Sequence, residues 1–73
     1  MSKHEQTMEE HVDCNVMVAI DQADEYGGLE GSRSAFLQNT VDSMLEDGYS
    51  ADEAMEAGDW FFVKFNKKTG LSA

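Results

Sequence analysis

TMEEHVDCNVMVAIDQADEYGG, residues 7–28, is where the chain commits to an all-helical or a strand-containing fold, because two periodicities overlap in it. Apolar side chains recur at helical spacing from Met8 to Tyr26, which indicates an amphipathic helix. Between Val12 and Ile20 every second residue is also apolar or cysteine, and this alternation with β-branched side chains is typical of a strand.

Three features of the same stretch favour the helix. Thr7 and Glu10 have the spacing of a capping box, in which a hydroxyl and a carboxylate bind the free backbone donors of a helix start. The helical pattern is long, and Gly27–Gly28 provides the left-handed conformation at which helices end. We therefore predict a helix through Tyr26, and a strand over residues 12–20 stays open as the alternative.

The middle of the chain predicts a second helix. Residues 27–31 are expected to form a loop, after which either Ser32 or Ser34 caps the helix. Its apolar side chains recur at helical spacing, and Gly48 ends it.

The C-terminal part predicts one or two further helices. Ser50 and Glu53 repeat the capping-box spacing and open a third helix, which Gly58 either breaks or accommodates. The aromatic run WFFVKF, residues 60–65, is predicted as a fourth helix or as a strand. Its phenylalanines are expected to fill the core, because the chain has few other large apolar side chains.

These elements predict one small all-α domain, a bundle of three to four short helices. The helical domain is expected to span residues 7–70, with a disordered tail at residues 1–6 and a disordered C-terminus at residues 71–73. A chain of 73 residues buries only about 60% of its unfolded surface, so its core is marginal.

Charge is the strongest compositional signal. The chain has 15 acidic and 5 basic residues, a net charge of −10. All fifteen acids lie within residues 1–59 together with two bases, so this part carries −13, whereas residues 60–73 carry +3. The acidic part repels nucleic-acid phosphates and anionic membranes, and it attracts basic protein surfaces. We therefore expect no independent nucleic-acid binding and no membrane association.

The composition also predicts a cytoplasmic location. Cys14 is the only cysteine, so an intrachain disulfide is impossible, as is usual in a reducing compartment. No apolar run approaches the roughly 20 residues that span a bilayer, and the polar N-terminus lacks the apolar stretch of a signal peptide.

The sequence offers little material for catalysis or cofactor binding. His11 and Cys14 would share a helix face as a possible nucleophile pair, but an orienting third group is not evident. His4, His11 and Cys14 match no zinc spacing. Residues 21–30 superficially resemble a calcium-binding loop. The resemblance fails because Ala23 stands where a ligand is required and Tyr26 where the turn glycine is required. We predict no enzyme, no metal and no cofactor.

Three groups of residues are predicted to contact a partner. An acidic face is expected to pair with lysines and arginines, and exposed aromatic side chains are expected to anchor the complex. A small basic group near Phe65 could contact RNA phosphates inside a larger complex. The acidic face comprises Asp42, Glu46, Asp47, Asp52, Glu53 and Glu56, the anchors are Tyr49 and Trp60, and the basic group is Lys64, Lys67 and Lys68.

An acidic body that ends at Asp59, followed by Phe65-Asn66-Lys67-Lys68, resembles the small acidic regulators with which lytic phages control host RNA polymerase. The resemblance covers length, acidity and the basic C-terminal end. It implies a non-enzymatic protein that inhibits transcription initiation through the two largest polymerase subunits, displaces sigma factor and promotes antitermination. The lysines would then lie near the emerging RNA.

Two other functions remain as alternatives. A DNA mimic that inhibits a nucleic-acid-binding defence enzyme would need carboxylates with duplex-like spacing on one surface. An antitoxin-like protein would instead dimerise through its aromatic end. The sequence leaves the target, the binding face and the oligomeric state open.

Overall fold

The computed structural model describes residues 4–72, which form three α-helices and a short 3-10 turn. Helix α1 spans Met8–Asp21, α2 spans Leu29–Glu46 and α3 spans Ala51–Thr69, and the 3-10 turn Ala23–Tyr26 lies between α1 and α2. No strand forms between residues 4 and 72. The predicted all-α bundle is confirmed, and the strand alternatives for residues 12–20 and for the aromatic run at residues 60–65 are wrong.

Both predicted capping boxes are present. Thr7 Oγ1 accepts a hydrogen bond from the Glu10 N–H at 3.1 Å, and Glu10 Oε1 accepts one from the Thr7 N–H at 2.7 Å. Ser50 and Glu53 make the same reciprocal pair at the start of α3, at 3.1 and 3.0 Å. These contacts fix the starts of α1 and α3 because they satisfy backbone donors that the helix itself leaves free.

The junction between α1 and α2 differs from the prediction. Helix α1 ends at Asp21, and α2 begins at Leu29, inside the predicted loop. Ser32 and Ser34 are therefore not caps. Ser32 is buried, and its hydroxyl donates to the Ala19 carbonyl oxygen at 2.6 Å, so it ties α2 to α1.

Gly31 explains why α2 can start so early. A Cβ atom at this position would overlap the carbonyl oxygen of Tyr26, which is backbone and cannot rotate away. Only glycine lets the 3-10 turn pass this close to the first turn of α2. The early start of α2 therefore depends on one residue without a side chain.

Helix α3 runs unbroken through Gly58, so the bundle has three helices and not four. Gly58 is buried, and a Cβ atom there would lie 3.0 Å from Val41 Cγ2 and 3.8 Å from Leu37 Cδ2. Its small size allows α3 to approach α2 closely, and this packing offsets the weak helix propensity of glycine.

The core lies between the three helices. Phe61 and Phe65 are fully buried with their rings 5.6 Å apart, as expected for side chains that fill the core. Phe62 is instead half-buried, with the Arg33 guanidinium 4.6 Å from its ring centre. The remaining buried apolar residues are Val12, Val16, Ala19, Phe36, Met44, Ala54 and Ala57.

Residues from both ends that were predicted as disordered contact the bundle. Residues 4–6 lie against the turn between α2 and α3, where Asp47 Oδ1 accepts a hydrogen bond from the Glu5 N–H at 2.7 Å. At the other end, Leu71 packs against the core, and Arg33 Nη1 donates to the Ser72 carbonyl oxygen at 3.1 Å. Residues 1–3 and 73, also predicted as disordered, lie outside the described residues.

Candidate functional site

Five of the six predicted acidic-face residues are exposed, and four of these lie on neighbouring parts of α2 and α3 without taking part in a helix cap. Helical spacing places Asp42 and Glu46 on the outward side of α2, because the buried residues of this helix occupy the opposite side. Asp52 and Glu56 likewise lie on the outward side of α3. None of these four carboxylates makes an ion pair within residues 4–72, so their charge faces solvent.

A ridge of α2 fixes how the two helices align. Arg33 contacts Phe62 and Asn66 of α3. One and two turns further along α2, Leu37 and Val41 pack at Gly58. The two helices are therefore antiparallel along this contact. The next turn of α2 brings Leu45 beside the turn of α3 that precedes Gly58.

Met55 belongs to that turn of α3, so it lies on the same seam as Leu45. The two side chains are 61% and 46% exposed, respectively, whereas Leu37 and Val41 behind them are half-buried. We call these four residues the α2–α3 strip. Exposed carboxylates lie on the outer sides of the same two helices, and we call them the acidic rim: Asp42, Glu46, Asp52, Glu56 and Asp59.

Asp47, predicted as part of the acidic face, instead binds groups of this chain. Its carboxylate accepts hydrogen bonds from the backbone N–H groups of Glu5 at 2.7 Å and Gln6 at 3.1 Å, and from His11 Nε2 at 2.8 Å. The Glu5 N–H and then the His11 side chain favour the ionised form and lower the pKa of Asp47 from 3.8 to about 2. Asp47 therefore holds the N-terminal segment in place.

Glu53 also has an internal role, because it belongs to the capping box of α3. The Ser50 N–H donates to Glu53 Oε1, and together with the Ser50 side chain it lowers the pKa of Glu53. A carboxylate at the N-terminus of a helix also interacts favourably with the helix dipole. Glu53 is exposed but is bound to its own helix.

The two predicted aromatic anchors are covered by neighbouring side chains. Tyr49 stacks on His4, with ring centres 3.6 Å apart and an angle of 12° between planes, and its hydroxyl donates to the Gln6 carbonyl oxygen at 2.5 Å. Partial burial, followed by the negative charges nearby, raises the pKa of Tyr49. Trp60 is half-buried, and Lys64 Nζ lies 5.1 Å from its ring centre.

The three predicted basic residues do not act alike. Lys64 Nζ forms an ion pair with Asp13 Oδ1 at 2.5 Å, which joins α3 to α1. Lys67 and Lys68 are exposed in the last turn of α3, where the helix dipole favours positive charge. The basic end therefore offers two solvent-facing lysines and one lysine that is paired with α1 at the surface of the bundle.

Ser43, His11 and Asp47 line up in the order of a serine hydrolase triad. His11 is buried, its Nε2 lies 2.8 Å from Asp47 Oδ2, and its Nδ1 lies 3.2 Å from Ser43 Oγ. These residues line a surface cavity of about 380 Å³ together with Glu5, Gln6 and Glu46.

The hydrogen bonds of this cluster are complete without a substrate. Ser43 Oγ lies 3.2 Å from His11 Nδ1, and the Ser43 hydroxyl donates to the Thr40 carbonyl oxygen at 3.1 Å, so this hydroxyl already has a partner within its own helix. The backbone N–H groups of Glu5 and Gln6 both donate to Asp47, so neither is free to stabilise an oxyanion. The arrangement suits a structural contact between helices and the N-terminal segment better than acyl transfer.

The suggested pair of His11 and Cys14 does not form. Cys14 is exposed, whereas His11 turns inward to Asp47 and Ser43. Across residues 4–72, no three or more histidine, cysteine, aspartate or glutamate side chains are grouped so that they could hold a metal ion. Residues 21–30, whose sequence partly resembles a calcium loop, form the end of α1, the 3-10 turn and the start of α2.

We found no match between this chain and the protein families, curated proteins and solved structures with which it was compared. Within residues 4–72, no helix combines the length and the apolar character needed to cross a membrane. The candidate site therefore has to be interpreted from its own geometry and charge.

Two features of the site were missed by sequence reasoning. Leu37, Val41 and Leu45 recur every four residues, so the α2 ridge could have been recognised as a second apolar stripe next to the core-facing one. The contact between His11 and Asp47 joins residues 36 positions apart, and no local pattern predicts it.

Proposed function

We propose that this protein is a non-enzymatic regulator that binds a larger protein through electrostatic attraction to a basic surface. The observation that carries the proposal is the unpaired acidic charge of the bundle. All fifteen carboxylates lie within residues 4–72, and only Asp13 and Asp47 make ion pairs there. Thirteen carboxylates therefore contribute to the outward negative field.

Such a field favours one class of partner. It repels phosphate backbones, and it accelerates the encounter with cationic protein surfaces. Carboxylates occur on all three helices, which supports a general field around the molecule over a single duplex-like row. The reading as a binding protein is also supported by the completed hydrogen bonds around His11.

The particular partner that we propose is the RNA polymerase of a phage host, in the bacterial cytoplasm. This choice rests on the resemblance to small acidic phage regulators. The polymerase presents large basic surfaces that hold nucleic acid, and an acidic bundle can occupy such a surface. Binding there would inhibit initiation and could promote antitermination, with Lys67 and Lys68 directed towards RNA.

A binding and transcription experiment tests the proposal. The full chain would be immobilised and exposed to host core polymerase and to holoenzyme, and promoter-dependent initiation would be measured with the free protein. We expect core binding and a loss of initiation, with association slowing at least about tenfold as salt rises from about 0.05 to about 0.5 M. Absence of polymerase binding at low salt would contradict the polymerase proposal.

A matched pair of variants separates a local acidic face from total charge. The first variant removes four rim charges, and the second removes four charges elsewhere. The second includes Glu9, which is the second residue of α1 just as Asp52 is the second residue of α3. If the acidic face binds, the first variant slows association more than the second. If both variants bind as the wild type does, the electrostatic proposal is wrong. The variants are D42N/E46Q/D52N/E56Q and E9Q/D21N/D24N/E25Q.

A further inference from the structure

We infer that the α2–α3 strip is a docking site for a lysine- or arginine-rich amphipathic helix of the partner. The inference rests on the proposed binding function and makes it specific, since it names the contact surface and the chemical character of the segment that covers it. Its evidence is the combination of exposed apolar side chains with a rim of unpaired carboxylates.

Helical spacing places the apolar residues of the site along the seam between α2 and α3. Leu45 and Met55 expose about half of their side chains or more, and the half-buried Leu37 and Val41 extend the surface towards Gly58. Gly58 allows α3 to approach α2 closely at Leu37 and Val41, and the antiparallel alignment of the two helices then brings Leu45 towards Met55. Exposed apolar surface with a polar rim is characteristic of binding sites.

The negative charge of the acidic rim favours a positively charged binding segment. Helical spacing puts Asp42 next to Leu45, and Asp52 and Asp59 next to Met55, with the other rim carboxylates further out on the same two helices. None of the five forms an ion pair within the described part of the chain. An apolar segment that carries cations at its edges would pair with them, whereas an acidic segment would be repelled. A second copy of this chain is disfavoured for the same reason, since each copy carries a net charge of −10.

The shape of the site favours a helix. Two antiparallel helices present a groove into which side chains of a third helix at positions i, i+3, i+4 and i+7 can insert. No strand edge is available within residues 4–72 for an extended peptide to join. Met55 has a flexible thioether side chain, which adapts to different apolar partners.

Peptide binding tests the inference directly. The probe is a synthetic helix of about 14 residues, about 21 Å long, with leucines along one side and lysines elsewhere. A peptide of the same composition in scrambled order is its control. Affinity would be measured by fluorescence anisotropy, and methionine methyl NMR would report the position. We expect the Met55 methyl signal to shift and that of Met17, which is 68% exposed on α1, to stay unchanged.

Matched variants separate the strip from general hydrophobicity. L45Q/M55Q removes the two exposed side chains of the strip, and M17Q/V63Q removes two that are 68% and 59% exposed elsewhere. We expect the first variant to lose at least about tenfold in affinity for the ordered peptide and the second less than about twofold. Circular dichroism confirms that both remain folded. Equal losses in the two variants, or equal binding of the scrambled peptide, overturn the inference.

The same variants distinguish this inference from the proposed function. If polymerase binds wild type and L45Q/M55Q equally well, the docking site is wrong although the proposed function survives. If the peptide binds at Met55 but polymerase does not bind, the docking site is supported and the polymerase proposal fails.

Discussion

Acidic side chains at the C-terminal end of α2 and just after it have different environments. Asp42 and Glu46 face solvent beside the α2–α3 strip, while Asp47, one residue beyond Glu46, accepts three hydrogen bonds from the N-terminal segment and His11. The difference teaches that carboxylates close together in sequence serve either the fold or the external field, depending on whether distant parts of the chain bind them. Removing the Asp47 contacts should therefore change stability, and removing the rim charges should change binding.

The largest effect on stability is expected from His11→Ala. This change removes a buried imidazole that joins Asp47 to Ser43, so the free energy of unfolding should fall by about 2 kcal/mol. Urea unfolding followed by circular dichroism measures it. The effects of H11A and D47N should be non-additive, since the two residues share a contact. A loss no larger than that of a surface substitution would contradict the structural role of the cluster.

A smaller and pH-dependent effect is expected from Asp47→Asn. Because folding lowers the pKa of Asp47 from 3.8 to about 2, its ionised form contributes stability above pH 3.8 that is lost as the pH falls towards 2. The difference in unfolding free energy between wild type and D47N should therefore be constant near neutral pH and shrink across this window. Asp24→Asn, an exposed control, should show no such change. A constant Asp47 difference down to pH 2 would show that its contacts do not depend on ionisation.

The smallest effect on stability is expected from the rim variant D42N/E46Q/D52N/E56Q. Its side chains are exposed and unpaired within residues 4–72, so the free energy of unfolding should change by less than about 1 kcal/mol. Thermal unfolding of this variant and of E9Q/D21N/D24N/E25Q measures the change at equal net charge. A large loss in the rim variant alone would show that its carboxylates stabilise the bundle, and the contrast with Asp47 would disappear.

The elements that could be predicted are those with local causes. The two capping boxes join residues three positions apart, and both formed where the sequence placed them. Phe61 and Phe65 are fully buried in the core, as expected from the small number of large apolar side chains in the chain. Gly58 was left undecided, since its effect depends on whether another helix lies against it.

The candidate site was predicted only in part, for the same reason. Asp42, Glu46, Asp52 and Glu56 are exposed on neighbouring helices, whereas Glu53 is bound in its own capping box. Tyr49 was expected to be an exposed anchor, but His4 stacks on it from 45 residues away. Leu45 and Met55 became the exposed apolar pair because the close packing at Gly58 sets the alignment of α2 and α3.

The amino-acid sequence alone predicts the acidic body and the basic end, because the positions of the charged residues can be read from it directly. It also predicts the starts of α1 and α3, because a capping box joins residues only three positions apart. The packing of the helices was needed to show which carboxylates remain free. Asp47 and the rim residues carry the same group, and they differ only in whether distant parts of the chain bring N–H donors within hydrogen-bonding distance.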